Sequence, residues 1–186
     1  MTDPDSPRQP PSDVSPIPLV APPFRELFVA HFDFVCRTLR RIGIREADVH
    51  DVAQELFVAV NRGLASFDQT RPVRPWLVGY AVRFAANYRR LGWNKSSELT
   101  DETAASSPRL TDRLATRQLV LRGLDALDFD KRTALVLHDM EGVTAPEIAA
   151  ELGVPLNTVY SRVRLARVAF REALRALESA AEGDAR

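Results

Sequence analysis

Apolar residues recur every three to four positions through most of the chain, while the strict alternation of strands and the turn signals of hairpins are missing. Between 24 and 95 this spacing predicts helices over 24–42, 46–64 and 75–91. Gly43 and Gly63 act as stops, and Pro72 and Pro75 bracket the turn before the third helix. Between 114 and 177 it predicts helices over about 112–127, 130–140, 146–152 and 155–177. Two stretches break the pattern. Residues 1–23 hold eight of the thirteen prolines and few large apolar side chains, as a disordered tail does. Residues 96–113 are rich in Ser, Thr and acids and read as a flexible acidic linker, and 178–186 reads as a second tail. The expected fold class is all-α: two small helical domains joined by a flexible linker.

The chain has 186 residues, 45% of them hydrophobic and 27% charged, which is ordinary globular composition. No run approaches the ~20 apolar residues of a membrane span, and the start MTDPDSPRQPPSD has no apolar stretch behind a basic segment. Cys36 is the single cysteine, which excludes an internal disulfide and fits a reducing cytoplasm. Its default reading is a small buried thiol.

Net charge is zero, yet the charge is segregated. Residues 24–95 carry +5, residues 117–154 carry −3 and residues 155–177 carry +4. Basic stripes in two separate segments are what a two-site nucleic-acid binder shows, although solvated helix faces can look alike.

The stretch TAPEIAAELGVPLNTVYSRVRLAR carries the most information. Thr144 and Glu147 have capping-box spacing, with Pro146 in the first turn where its missing N–H costs nothing. Ile148, Ala149 and Leu152 form one apolar face, Ala149 being small enough for a close crossing. Gly153 supplies a tight turn, Val154 plugs the corner and Pro155 opens the next helix. On that helix Val159, Val163, Ala166, Phe170, Ala173 and Leu177 share a face. Asn157, Ser161, Arg164, Arg171 and Arg175 lie opposite, flanked by Tyr160. This is the pattern of a helix-turn-helix whose second helix enters a major groove; the competing reading is a helical hairpin with a solvated arginine face.

In the 75–91 helix, Leu77, Ala81, Phe84, Tyr88 and Leu91 form the core stripe. Trp76, Tyr80, Arg83, Asn87 and Arg90 form a second stripe beside it. Aromatic rings that stack on unpaired bases, with arginines on the backbone, are the chemistry of single-strand capture. Alternatively Trp76 and Tyr80 widen the core. In the helix before it, Asp48, Asp51 and Glu55 line one side near Gln54, with no cationic partner expected at helical spacing. No His/Glu motif accompanies them and His50 lies on another face, so a solvated or protein-docking surface is expected rather than a metal site. His138 and Asp139 are adjacent and are expected to point apart. No phosphate loop, nucleophile elbow or HExxH is present, so neither an enzyme nor a cofactor is expected.

These residues resemble the extracytoplasmic-function (ECF) sigma factors, the minimal two-domain members of the sigma-70 family. The likeness runs over about 24–177. It is carried by DVHDVAQELF at 48–57, RPWLVGYAVRFAANYRR at 74–90, and the helix-turn-helix at 144–167 preceded by LDALDFDKRTALVLHDMEGVT. The resemblance implies a non-enzymatic protein that binds core RNA polymerase and directs it to promoters. Asp48, Asp51, Gln54 and Glu55 match the surface that docks on the β′ clamp helices, and the β flap is a further implied contact. Ser66, Phe67, Asp68 and Arg71 match the loop, and Trp76, Tyr80, Arg83, Asn87 and Arg90 the helix, that capture and melt the −10 element. Asn157, Thr158, Tyr160, Ser161, Arg162, Arg164 and Arg167 match the −35 reading helix. An anti-sigma partner is implied by kinship alone.

Three departures bear on promoter choice. Arg83 and Asn87 stand where the family usually has Asn and Asp, Tyr160 where it often has Lys or Arg, and Asn61 where an aromatic often stands. Two rival functions remain at this point. One is a helix-turn-helix repressor with 24–95 as a ligand or dimerisation domain, and the other is a helical adaptor that binds no DNA.

Overall fold

The computed structural model describes residues 24–91 and 108–184, with side chains in the second stretch described over 114–180. The expected tail 1–23, the linker residues 96–107 and the last two residues lie outside the described residues. Within them every regular element is helical.

Helix α1 (Phe24–Ile42) buries Leu27, Phe34, Val35, Leu39 and Ile42 along one face. Gly43 ends it at φ 113°, its N–H donating to the carbonyls of Leu39 and Arg40. A 3-10 turn at Glu46–Asp48 leads into α2 (Val49–Gly63), which buries Val49, Val52, Ala53, Leu56, Phe57 and Val60. A second 3-10 turn, Leu64–Ser66, starts the loop to α3 (Val73–Arg90). That helix begins two residues before the expected start, because Pro75 sits inside its first turn, where no N–H is needed. Its buried face is Leu77, Val78, Gly79, Ala81, Val82, Ala85 and Tyr88.

Helix α4 (Pro108–Asp125) begins inside the stretch read as linker. Asp128 caps α5 (Phe129–Leu135), its carboxylate accepting the Lys131 N–H at 2.9 Å. The helix expected over 130–140 then changes character: Val136–Met140 is a π-helical turn. Helix α6 (Ala145–Leu152) carries both halves of the capping box and ends at Gly153, which is left-handed at φ 64°. Helix α7 (Leu156–Asp184) runs through most of the expected C-terminal tail.

The two halves are not independent beads. Buried residues of α1, α2 and α3 are continuous with those of α4 to α7 in one hydrophobic cluster. Helix α3 packs on α6, and α1 packs on α4, α5 and the π-turn. Arg132 of α5 is buried and serves as a C-terminal cap for α1. Its Nε donates to the Arg41 carbonyl at 2.6 Å, and Nη1 pairs with Asp125 at 2.5 Å. Burial pulls its pKa down, against the opposing pull of Asp125. Arg41 in turn pairs with the nearly buried Glu141 at 2.7 Å. No helix among the described residues is long and apolar enough to cross a membrane.

Candidate nucleic-acid and polymerase interface

On α7 the core side is set by Val159, Val163 and Ala166, all buried. That rotation turns Asn157, Tyr160, Ser161 and Arg164 outward, exposed and without a hydrogen bond or ion pair among the described residues. Such unpaired donors and acceptors on a basic helix can reach groove edges. Thr158 is half-buried at the helix start. Arg162 and Arg167 depart from expectation. Arg162 lies about 200° around the helix from Arg164 and pairs with Asp130, beside the small cavity lined by Phe129, Ile148 and Leu152. Arg167 forks onto Asp139, with both contacts at 2.7 Å. That hydrogen bond raises the Arg167 pKa and holds Asp139 below the ordinary carboxylate value. Arg162 ties α7 to α5, and Arg167, its side chain half exposed, is held on the π-turn. The expectation that His138 and Asp139 point apart also fails: Nδ1 and Oδ1 are 2.7 Å apart. The wider π-turn brings the neighbours together.

The loop after α2 and the outer stripe of α3 form one surface. Phe67 stacks on Trp76 at 4.4 Å and 30°, and Trp76 meets Tyr80 edge-on at 5.2 Å. The Arg83 guanidinium covers the Tyr80 ring at 4.5 Å. Gly63 makes room for this row, since a Cβ there would run into the Tyr80 hydroxyl. Trp76 and Tyr80 are half-buried, packed against the core with part of each side chain left exposed. Arg90 donates to the Asn87 side chain at 2.8 Å, and both are exposed. In the loop, the Ser66 hydroxyl donates to the Gly63 carbonyl. Asp68 accepts the Thr70 hydroxyl at 2.7 Å and its N–H at 3.0 Å, which pulls the Asp68 pKa down. Arg71 does not face the aromatic row: it pairs with Glu151 of α6 at 2.7 Å.

On α2 the structure divides the acidic group. Asp51, Gln54 and Glu55 are exposed and unpaired among the described residues. Asp48 is paired with Arg45 at 2.7 Å and accepts the buried Tyr88 hydroxyl. The expectation of no cationic partner therefore fails for Asp48, because the 3-10 turn places Arg45 three residues ahead of it. Burial, and after it the bond to Asp48, raises the Tyr88 pKa. Val58, which sequence reasoning did not single out, is 53% exposed one turn beyond Gln54 and Glu55. Only its exposure marks it, since a valine at helical spacing reads as core. Cys36 is buried, and burial pushes its thiol pKa up. No group of His, Cys, Asp and Glu among the described residues could hold a metal ion.

Residues 27–94 match the family model "Sigma-70 region 2", and residues 117–170 match "Sigma-70, region 4". The chain is 32% identical to the ECF RNA polymerase sigma-E factor of Escherichia coli over 160 residues, covering 77% of this chain and 83% of that protein. It is 31% identical to the RNA polymerase sigma factor CnrH of Cupriavidus metallidurans, with 77% and 82% covered. Among solved structures, CnrH in complex with the cytosolic domain of CnrY superposes with a TM-score of 0.62 at 30% identity, covering 82% of this chain and 88% of that one. The sigma factor RpoE of Bartonella quintana, in complex with the anti-sigma factor NepR, has the same fold at a TM-score of 0.66 and 21% identity, covering 82% and 96%. With the region 2 and region 4 models in order along one chain, and relatives of this identity and coverage, the protein belongs to the ECF group of the sigma-70 family, RNA polymerase sigma factors that direct transcription initiation.

Proposed function

We propose that this chain selects promoters through two chemically distinct DNA surfaces and holds core polymerase through a third. The row Phe67–Trp76–Tyr80–Arg83 carries the reading: half-buried rings in a row with a guanidinium, next to exposed Asn87 and Arg90, suit unpaired bases rather than duplex. Asn157, Tyr160, Ser161 and Arg164, on a helix start with no internal partner, suit the edges of intact base pairs in the −35 element. Asp51, Gln54 and Glu55 suit a cationic surface on the β′ clamp helices. An open groove floored by Leu135, Met140 and Phe170 and edged by Arg167 and Arg171 suits the β flap. The protein works in the cytoplasm with the polymerase, as a binding factor and not an enzyme. Structures of relatives with CnrY and NepR support control by an anti-sigma protein here too.

Run-off transcription tests the reading. Core polymerase with this chain should initiate at defined promoters, and neither should do so alone. Tight duplex binding by the chain alone, with no transcription, would instead identify a repressor.

A further inference from the structure

Four large apolar side chains of α7 are left uncovered: Leu156, Tyr160, Leu165 and Val168. None of them joins the hydrophobic cluster that takes in Val159, Val163 and Ala166. They point in different directions. Leu165, 43% exposed, lies one turn beyond Ser161 and about 40° from it around the helix. Tyr160 is turned about 100° away from Ser161 and Leu156 about 140°. Leu165 therefore shares the outward side of the helix with Asn157, Ser161 and Arg164. From Asn157 to Leu165 the helix runs about 12 Å, the width of a major groove. Val168 points the same way but stands about 4.5 Å further along the axis.

A leucine in that place has a restricted choice of partners. Ser161 and Arg164 beside it have no hydrogen bond or ion pair among the described residues, and an apolar protein surface laid over Leu165 would bury them unsatisfied. Residues 155–177 carry +4, which suits an anionic polymer. The edges of base pairs in a major groove offer partners for the serine and the arginine, and they offer one apolar group, the C5-methyl of thymine. We propose that Leu165 packs on a thymine methyl group of the upstream promoter element and is a specificity-determining residue beside Arg164. This rests on the duplex-reading assignment of α7 and adds the base that the helix favours: a T·A pair within the element, chosen by its methyl group and not by a hydrogen bond.

The test uses core polymerase carrying the full-length chain. Transcription from a template pool with a randomised upstream element first selects the preferred sequence. Each thymine of that sequence, on either strand, is then replaced by deoxyuridine, which removes the methyl group and keeps every hydrogen-bonding atom. At subsaturating polymerase, one replacement should lower run-off about three- to four-fold, the worth of burying one methyl-sized group. Leu165→Ala should lose about as much on the thymine template and nothing more on the deoxyuridine one, at unchanged helix content and melting temperature, since the side chain lies outside the core. Val168→Ala should keep the full response to deoxyuridine. The proposal is overturned if every deoxyuridine template works as well as its parent, the result a protein partner on Leu165 would give. It is overturned equally if the response survives in Leu165→Ala or vanishes in Val168→Ala. Selection itself separates this idea from the one beneath it. If the pool enriches no upstream sequence, duplex reading by α7 is wrong and the methyl contact falls with it; if it enriches one that tolerates deoxyuridine throughout, the methyl contact alone is wrong.

Discussion

Arg162 and Arg164 stand on the same helix and meet different surroundings. One is turned back to Asp130 and the other is turned out with nothing to bind. A bidentate arginine–guanine contact discriminates by about 1–3 kcal/mol, so Arg164→Ala should relax preference at one upstream promoter position, scored by run-off on single-base variants. Arg175, three turns further along, should show only a mild and sequence-independent loss; a base-specific loss there would contradict the assignment. Arg162→Ala should lower thermal stability without changing which promoter is chosen. On α2, Asp51→Lys with Glu55→Lys should weaken co-purification with core polymerase at unchanged far-ultraviolet dichroism, and undiminished assembly would exclude this docking face. The helical period already separates Asn157, Ser161 and Arg164 from the core. What it leaves out is the partner across space: Asp130 and Asp139 come from other turns, and no local spacing announces that they claim Arg162 and Arg167.

Elements whose ends are written in local chemistry are legible in the amino-acid sequence. Thr144 and Glu147 bracket the start of α6 by reciprocal bonds, the Thr144 N–H donating to the Glu147 carboxylate at 2.9 Å, and Gly153 takes the left-handed stop. Loss of such a cap costs ~1 kcal/mol. Thr144→Ala should therefore lower Tm by about 2–4 °C in a chain of this size, and an unchanged melting curve would contradict the role of the cap. The π-turn at Val136–Met140 is not legible in the same way, because its apolar residues, Val136 and Leu137, are spaced as any helix would space them. Its consequences are concrete. The turn brings His138 onto Asp139 and aims Asp139 at Arg167, which gives α7 its second anchor. Trp76 and Tyr80 fall between two readings in the sequence for a physical reason: a half-buried ring satisfies both the core pattern and the binding pattern.

Across the whole molecule, composition and charge segregation indicate two functional halves, and the family matches divide the chain in the same order. Their packing against one another is hidden in the sequence, because apolar residues do not say which half they face and the charged contacts come from side chains whose pattern is that of solvated residues. Arg132 caps α1, Arg41 meets Glu141 and Arg71 meets Glu151, each pair spanning the two halves. A charged residue at an interdomain contact has no distinguishing period, so only the fold assigns it. On the function proposed above, the two halves act on different forms of DNA, one on intact duplex through groove edges and one on a separated strand through the aromatic row, where base stacking is worth about 1–3 kcal/mol per base. Run-off transcription from matched templates, one fully paired and one with a pre-opened −10 bubble, measures that division directly. On the paired template both Trp76→Ala and Arg164→Ala should be impaired, and the bubble should largely restore Trp76→Ala while leaving Arg164→Ala defective. Equal rescue of both variants, or rescue of neither, would contradict a split between strand capture and duplex reading.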